Sequence, residues 1–499
     1  MISSSARAYR EGAGAGSPTP DSVAELARTR FGVPYLYPLQ RFVLSNTLEG
    51  RPQIVILPTG SGKSLCFQLP ALLLPGPTLV LVPLLSLLAD QLRAMRSAGI
   101  PVGELRGGLE PEEKARLFDG IRSGRTRLVL ATPEACLAEP NLSRLASCGF
   151  SHLVVDEAHC LSEWGDSFRP AYREVGTIAR RLAVPMISAF TATASAPVIA
   201  RIRSLLFADG EVRLVEGGAD RPNISYRVVP VLSRRRALAG LVREAPRPLL
   251  AFFRTRGGAE IAAREARRRF PGSPVTFYHA GLAREERGLI ERWFLGSRDG
   301  ALFATCAYGM GVDKPDIRTV AHADVPLSVE AYLQETGRAG RDGAPSSAVL
   351  LVSAEDDAFL GRIEEATARE RYGRVLGYAR GGGACRRQQL LALIGQPPPA
   401  CAGCDVCDGT AALLPEGAPE ILGFLRAHRR SFAPAQAADI LAGARGPRTV
   451  RGYDDCRRGF GSLSSWDVDD VEEAIRTLCA AGTLRLLARG PWKGNLTTG

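Results

Sequence analysis

At 499 residues the chain is long enough for several domains, each with its own core. Hydrophobic residues make up 45% and charged residues 23%, as in a folded soluble protein, and no apolar run reaches the ~18 residues that would span a bilayer. A formal charge of +11 favours an anionic partner such as nucleic acid. Arginine carries nearly all of it: of 63 basic residues only Lys63, Lys114, Lys314 and Lys493 are lysine, so each lysine is informative.

Residues 1–21 lack the apolar stretch of a secretory signal and read as a disordered tail. From 22 to 212, short apolar runs alternate with amphipathic segments. Strands are expected at QIVILP (53–58), TLVLVP (78–83), RLVLAT (127–132), HLVVD (152–156) and PMISAF (185–190). The rhythm restarts over 213–353, with strands expected at PLLAFF, PVTFYH, GALFAT, TVAHAD and SAVLLVS. Both blocks predict α/β lobes with parallel sheets. Residues 354–410 turn charged and helical and hold a cysteine cluster. A linker and a last module, with possible strands at TLRLLA and around WKGNLTT, fill 411–499.

LPTGSGKS (57–64) follows a strand and opens a helical run, the context of a phosphate-binding loop. Gly60 and Gly62 let backbone N–H groups turn around phosphate oxygens, with Thr59 and Ser61 completing the loop. Lys63 is expected to reach the β/γ-phosphates and Ser64 to help hold Mg²⁺. Leu57 stands where such loops usually place a first glycine. VVDEAH (154–159) supplies the partner site: Asp156 for Mg²⁺, Glu157 to direct water, and His159 as a relay. QETGRAGRDG (334–343) places two arginines among glycines. Arg341, supported by Arg338, is expected to stabilise charge on the transferred phosphoryl group, and Gln334 opens that motif.

The acidic stretch continues into Trp164, Phe168 and Arg169. Aromatic faces and a guanidinium suit base stacking. A loop starting at the water-directing acids and ending at bases could tie hydrolysis to DNA. Cys385, Cys401, Cys404 and Cys407 give C-x15-C-x2-C-x2-C, a spacing that suits four-thiolate Zn²⁺ or an iron–sulfur cluster. Eleven cysteines without a secretory signal point to a reducing compartment. In the last module Arg448, Arg451, Arg457 and Arg458 are candidate phosphate contacts, and Trp492 lies beside Lys493 at the expected hairpin tip.

PTGSGKS, DEAH, FTATAS (190–195), YHAGL (278–282), ATCAYGMGVDKP (304–315) and QETGRAGRDG together resemble a superfamily 2 helicase. DEAHCLSEWGDSFRPAY narrows the resemblance to the RecQ family of DNA helicases, from about Phe31 to about Thr498. It implies two RecA-like lobes, a zinc platform at the four cysteines and a winged helix. It further implies ATP-driven 3′-to-5′ translocation with duplex separation, in repair or recombination. It carries nucleotide contacts onto Tyr37, Gln40 and Asp313, and DNA contacts onto Trp164, Phe168, Arg169, Arg451, Arg458 and Trp492. Two stretches depart from the family pattern. SEWGDSFRP replaces SQWGHDFRP, adding acids to a loop expected near phosphates. FGVPYLYPLQ replaces FGYxxFRPGQ, so Tyr37 stands where an arginine is expected. The further helical DNA-binding domain of many bacterial members is not expected among these residues. The expected partners are single-stranded and duplex DNA and a single-strand-binding protein; a cytoplasmic, nucleoid-associated monomer is expected. A translocase that does not part strands and a non-catalytic DNA scaffold are the alternatives.

Overall fold

The computed structural model describes residues 20–58, 61–83, 85–163, 170–172, 174–192, 194–207, 210–218, 220–309, 314–412, 414–446, 457–489 and 491–498. The chain divides into two compact units: the first runs to Asp220 and takes in Ile394–Gln396, and the second starts at Arg221. The first holds a parallel sheet of β1 (Gln53–Ile56), β2 (Thr78–Leu81), β3 (Val102–Leu105), β4 (Leu128–Ala131), β5 (His152–Val155), β6 (Met186–Thr191) and β7 (Arg213–Glu216), in the order β3-β4-β2-β5-β6-β1-β7. Helices α1 (Pro38–Leu48), α2 (Leu65–Ala71) and α3 (Leu85–Ser97) belong to the same unit. Strands β1, β2, β4 and β5 are buried end to end. A sheet covered on both faces has no wet side, which is why these strands read as unbroken apolar runs. Alternate residues feed two cores: Ile54, Leu79, Val129 and Leu153 enter one, and Val55, Val80, Leu130 and Val154 the other.

The edges differ. VGEL in β3 is mostly half-buried, and RLVE in β7 is exposed except at Val215. Val215 of β7 pairs with Val55 of β1. The first sheet therefore runs past residue 212, where the sequence reading ends the first lobe, and the second lobe begins only after Asp220.

The second unit holds β8 (Ile224–Pro230), β9 (Leu249–Phe252), β10 (Val275–Tyr278), β11 (Ala301–Ala304), β12 (Thr319–His322) and β13 (Ser346–Val352), ordered β10-β11-β9-β12-β13-β8 and parallel throughout. Helices α4 (Arg234–Glu244), α5 (Arg256–Arg269), α6 (Arg284–Gly296) and α7 (Val329–Thr336) belong to it. Beyond the sheet come α8 (Ala366–Arg380) and α9 (Arg386–Ala392), then α10 (Ala418–Ala427), α11 (Pro434–Ala442) and α12 (Val468–Ala480). The antiparallel pair β14 (Leu484–Leu486) and β15 (Leu496–Thr498) closes the chain. The last three helices and this hairpin bury Ile421, Phe424, Ile440, Ile475, Leu484 and Leu496 in one core, a winged-helix arrangement.

Candidate nucleotide site, metal centre and nucleic-acid face

In the first sheet β5, β6 and β1 are neighbours. Their carboxyl ends deliver Asp156, Thr191 and the 57–64 loop to one edge, where open α/β sheets place their ligands. Thr59 and Gly60 lie outside the described residues. Of the rest of the loop, Lys63 donates from Nζ to the Leu57 carbonyl at 3.0 Å. Gly62 has φ +75°, and a Cβ there would sit 2.5 Å from Gln40 Nε2. Its left-handed backbone angle favours glycine, and a side chain there would push the Gln40 amide aside. Ser64 opens α2.

Asp156 is buried, receiving a hydrogen bond from Gln91 Nε2 at 2.9 Å and one from the Glu157 amide at 3.0 Å. Burial and the adjacent Glu157 raise its carboxyl to about 6, against the opposing pull of Lys63, Gln91 and the Glu157 amide. Gln91, on α3, escapes the sequence reading; its one signal is a polar residue inside an apolar helix face. Glu157 adopts φ +49°, a left-handed conformation that costs a non-glycine residue ~1–2 kcal/mol. His159 Nδ1 lies 3.4 Å from Glu157 Oε2 and 3.1 Å from the buried Thr191 hydroxyl. Thr191 lies in FTATAS, a motif the sequence shows, but the sequence alone assigns this residue no role.

Tyr37 is 63% exposed and meets Tyr35 edge-on at 5.8 Å. Gln40 is buried. Its Oε1 accepts from the Tyr37 amide (2.9 Å), and its Nε2 donates to the Ser61 carbonyl (2.8 Å). The nucleotide contact expected of Gln40 therefore finds its amide already joining the start of α1 to the phosphate loop.

In the second unit Gln334 lies on α7, whose amino end Ser328 caps through the Ala331 amide. Arg338 and Arg341 lie past the helix, in the turns that follow it. Arg338 is buried. The Arg221 guanidinium holds this turn by donating to the carbonyls of Gly337, Ala339 and Gly340. Asp313 lies outside the described residues.

Cys385, Cys401, Cys404 and Cys407 bring their sulfurs within 4.8 Å of one another. The Cys385–Cys404 separation is 3.9 Å, against about 3.8 Å for the edge of a tetrahedron with Zn–S bonds of about 2.3 Å. The donor set fits a four-thiolate zinc, and such a centre is structural because it keeps no open position. Burial opposes ionisation of Cys404, but the backbone amides of Cys407 and Arg386 and the neighbouring thiols outweigh it and bring the thiol down to about 7. The cluster is fastened to β8: Tyr226 N donates to Gly403 O, and Asp405 Oδ2 accepts from Val228 N at 2.9 Å.

On the winged helix, Trp492 is 48% exposed between β14 and β15, with the Arg430 guanidinium 5.7 Å from its ring centre. Arg457 and Arg458 are exposed, and the Arg458 carbonyl meets His428 Nε2 at 3.0 Å. Trp164, Phe168, Arg169, Arg448 and Arg451 lie outside the described residues. Among the described residues no helix is long and apolar enough to cross a membrane.

Three family models match: DEAD/DEAH box helicase over residues 37–202, helicase conserved C-terminal domain over 233–343, and RecQ zinc-binding over 357–408. The chain is 37% identical to the probable ATP-dependent DNA helicase RecS of Bacillus subtilis, over 66% of this chain and 67% of that protein. It is 32% identical to the ATP-dependent DNA helicase RecQ of the same organism, over 86% and 74%. Against the mouse ATP-dependent DNA helicase Q5 it is 33% identical over 86% of this chain but 46% of that one. The chain thus spans from about half to three quarters of the length of these relatives. Among solved structures it resembles Mycobacterium smegmatis helicase Lhr bound to ssDNA and AMP-PNP, with a TM-score of 0.53 and 19% identity over 95% of this chain and 60% of that one. It also resembles Mss116p bound to ssRNA and AMP-PNP, with a TM-score of 0.54 and 17% identity over 78% and 93%. At these identities the likeness is one of fold.

Proposed function

The chain belongs to the RecQ family of superfamily 2 helicases, and from that premise we propose that it hydrolyses ATP to move 3′ to 5′ along single-stranded DNA and part duplexes in repair or recombination. The observation that carries the reading is the meeting of Lys63, Asp156, Glu157 and His159 at the adjoining ends of β1, β5 and β6. Lys63 leaves the Leu57 carbonyl for the β/γ-phosphates. Ser64 and Asp156 would hold Mg²⁺, which would neutralise phosphate charge and favour the ionised form of Asp156. Glu157, backed by His159, directs water at the γ-phosphoryl group. Arg341, with Arg338 and Gln334, serves the developing charge. Thr59, Gly60, Ser61, Gly62 and Asp313 complete the nucleotide contacts, and Tyr37 stacks on the base. Trp164, Phe168, Arg169, Arg451, Arg458 and Trp492 take the DNA. A single-strand-binding protein is the proposed partner of a nucleoid-associated monomer.

The test is ATP-dependent strand release from a 3′-tailed duplex beside a 5′-tailed control, with phosphate release followed in the same tube. Release from the 3′-tailed substrate alone is expected. DNA-stimulated phosphate release without strand separation would replace the helicase reading with a translocase. In the same assay Lys63→Ala should abolish hydrolysis while leaving DNA binding intact; normal turnover would remove the phosphate-loop assignment.

A further inference from the structure

Of the few lysines in this arginine-rich chain, Lys314 is 2% exposed. Its Nζ donates to the Leu295 carbonyl at 3.2 Å and the Ser297 carbonyl at 2.7 Å, and pairs with Asp316 Oδ1 at 2.8 Å. Leu295 and Ser297 bracket the end of α6. The last carbonyls of a helix lack intrahelical donors and carry the negative end of its dipole. One ammonium nitrogen donates in three directions from a single point, whereas a guanidinium spreads its donors over a plane. The Phe294 ring, on the same last turn, lies 5.5 Å from the ammonium. Lys314 thus bolts the segment it begins to the end of α6.

That segment leads to Arg341. Asp342 N donates to Pro315 O at 3.1 Å, and Gly340 N donates to Ile317 O at 2.8 Å. The backbone on either side of Arg341 is therefore laced to residues 315 and 317. Arg318 pairs with the Asp342 carboxylate. The turn has little slack: Gly340 has φ +53°, and a Cβ there would sit 2.5 Å from Asn223 Nδ2 and Ser346 Oγ and 2.6 Å from Ala344 O.

We propose that Lys314 is a positioning residue for Arg341, fixing the 315–317 backbone to the end of α6 so that the arginine turn is held ready for the transferred phosphoryl group. This rests on the reading of Arg341 given above. The experiment compares Lys314→Arg, Lys314→Met and Asp316→Asn in the full zinc-loaded chain. It reads kcat and KM for DNA-stimulated ATP hydrolysis, and hydrogen exchange at the Gly340 and Asp342 amides. Both Lys314 variants should lose about tenfold or more in kcat with KM for ATP held within about threefold, the pattern of a lost transition-state contact. Exchange at the two amides should quicken. Asp316→Asn, whose carboxylate is 41% exposed, should move both readouts the same way by less, and it carries the test should the Lys314 variants fail to fold. Unchanged kcat with unchanged exchange overturns the proposal, as does a lowered melting point with full turnover below it. A wild-type chain that hydrolyses nothing would instead overturn the functional reading, and the exchange data would still decide whether Lys314 holds the turn.

Discussion

Tyr37 is held edge-on against Tyr35, and its backbone is fixed by Gln40. Stacking on a flat base is the contact such a ring can make, worth ~0.5–1.5 kcal/mol. Tyr37→Ala should therefore raise the KM for ATP by about two- to tenfold with little change in kcat. Stacking alone does not discriminate purines, so selectivity for ATP should persist only in so far as other groups read the base. Turnover with GTP equal to that with ATP would show that nothing does. His152 is a different case. It is wholly buried, 2.9 Å from Ser188 Oγ, and burial lowers its pKa from 6.5 to about 3. The folded state keeps it neutral while the unfolded chain takes a proton below 6.5. Its contribution to stability is thus complete above pH 6.5 and is lost as pH falls from 6.5 toward about 3, at up to about 1.4 kcal/mol per unit. His152→Gln should flatten that acid limb in denaturation curves of the first unit; an identical limb in the variant would count against it. Lys63 and Asp156 were legible in the sequence because their motifs are local. Gln91 was not, because only the facing of α3 brings it to Asp156, and Thr191, though inside a legible motif, meets His159 only through the parallel packing of β5 and β6.

At the scale of elements, β8 and the cysteine cluster stabilise each other. The Asp405 carboxylate, 2% exposed, takes the Val228 amide of β8 with one oxygen and Arg386 with the other at 3.1 Å. The fully buried Arg387 donates to the carbonyls of Arg221 and Ile224, where β8 begins. Removing one partner of a buried ion pair costs ~3–5 kcal/mol, because the other charge stays out of water. Asp405→Asn should lower the denaturation midpoint of the second unit in zinc-loaded protein, and zinc chelation of the wild type should do the same while sparing the first unit. An unaltered midpoint in both would mean that the cluster merely hangs on the sheet. The edges also explain what the sequence concealed. The interior strands were read from their apolar runs. VGEL, RLVE and ISYRVVP lie at or beside sheet edges, where half-exposed positions admit glycine, glutamate and arginine and break the run. The cysteine spacing exposed the metal site at once, yet gave no hint that β8 is its foundation, since that pairing joins residues far apart in the chain.

In the whole molecule, the winged helix is anchored by acids. The first turn of α12 and the residues just before it face the arginines of α4 and α5. Arg269 lies 2.7 Å from both Asp467 and Asp470, Arg235 lies 3.3 Å from Asp469, and Ser233 Oγ donates to Glu473 at 2.7 Å. Arg236 adds a cation over the Trp466 ring at 4.6 Å and a pair with Glu416 at 2.8 Å. Carboxylates at a helix start also complement its dipole. The amino end of α12 is thus committed to α4 and α5 and is acidic, so the proposed function leaves phosphate contacts to other residues of the module, such as Arg458. The pairs are unequal. Asp470 is 1% exposed and Asp469 61%. Exposed pairs are worth ~0–1 kcal/mol and are screened by salt, whereas stripping a buried partner from Arg269 costs ~3 kcal/mol and is screened little. Asp470→Asn should therefore loosen the module and speed proteolytic cleavage of the linker ahead of α10. Asp469→Asn should leave that rate near wild type, and raising the salt should not reproduce the Asp470 effect. Equal cleavage rates in the two variants, or a wild-type rate in high salt that matches Asp470→Asn, would mean that the anchorage is a surface attraction and that α12 is free to turn its acidic end elsewhere.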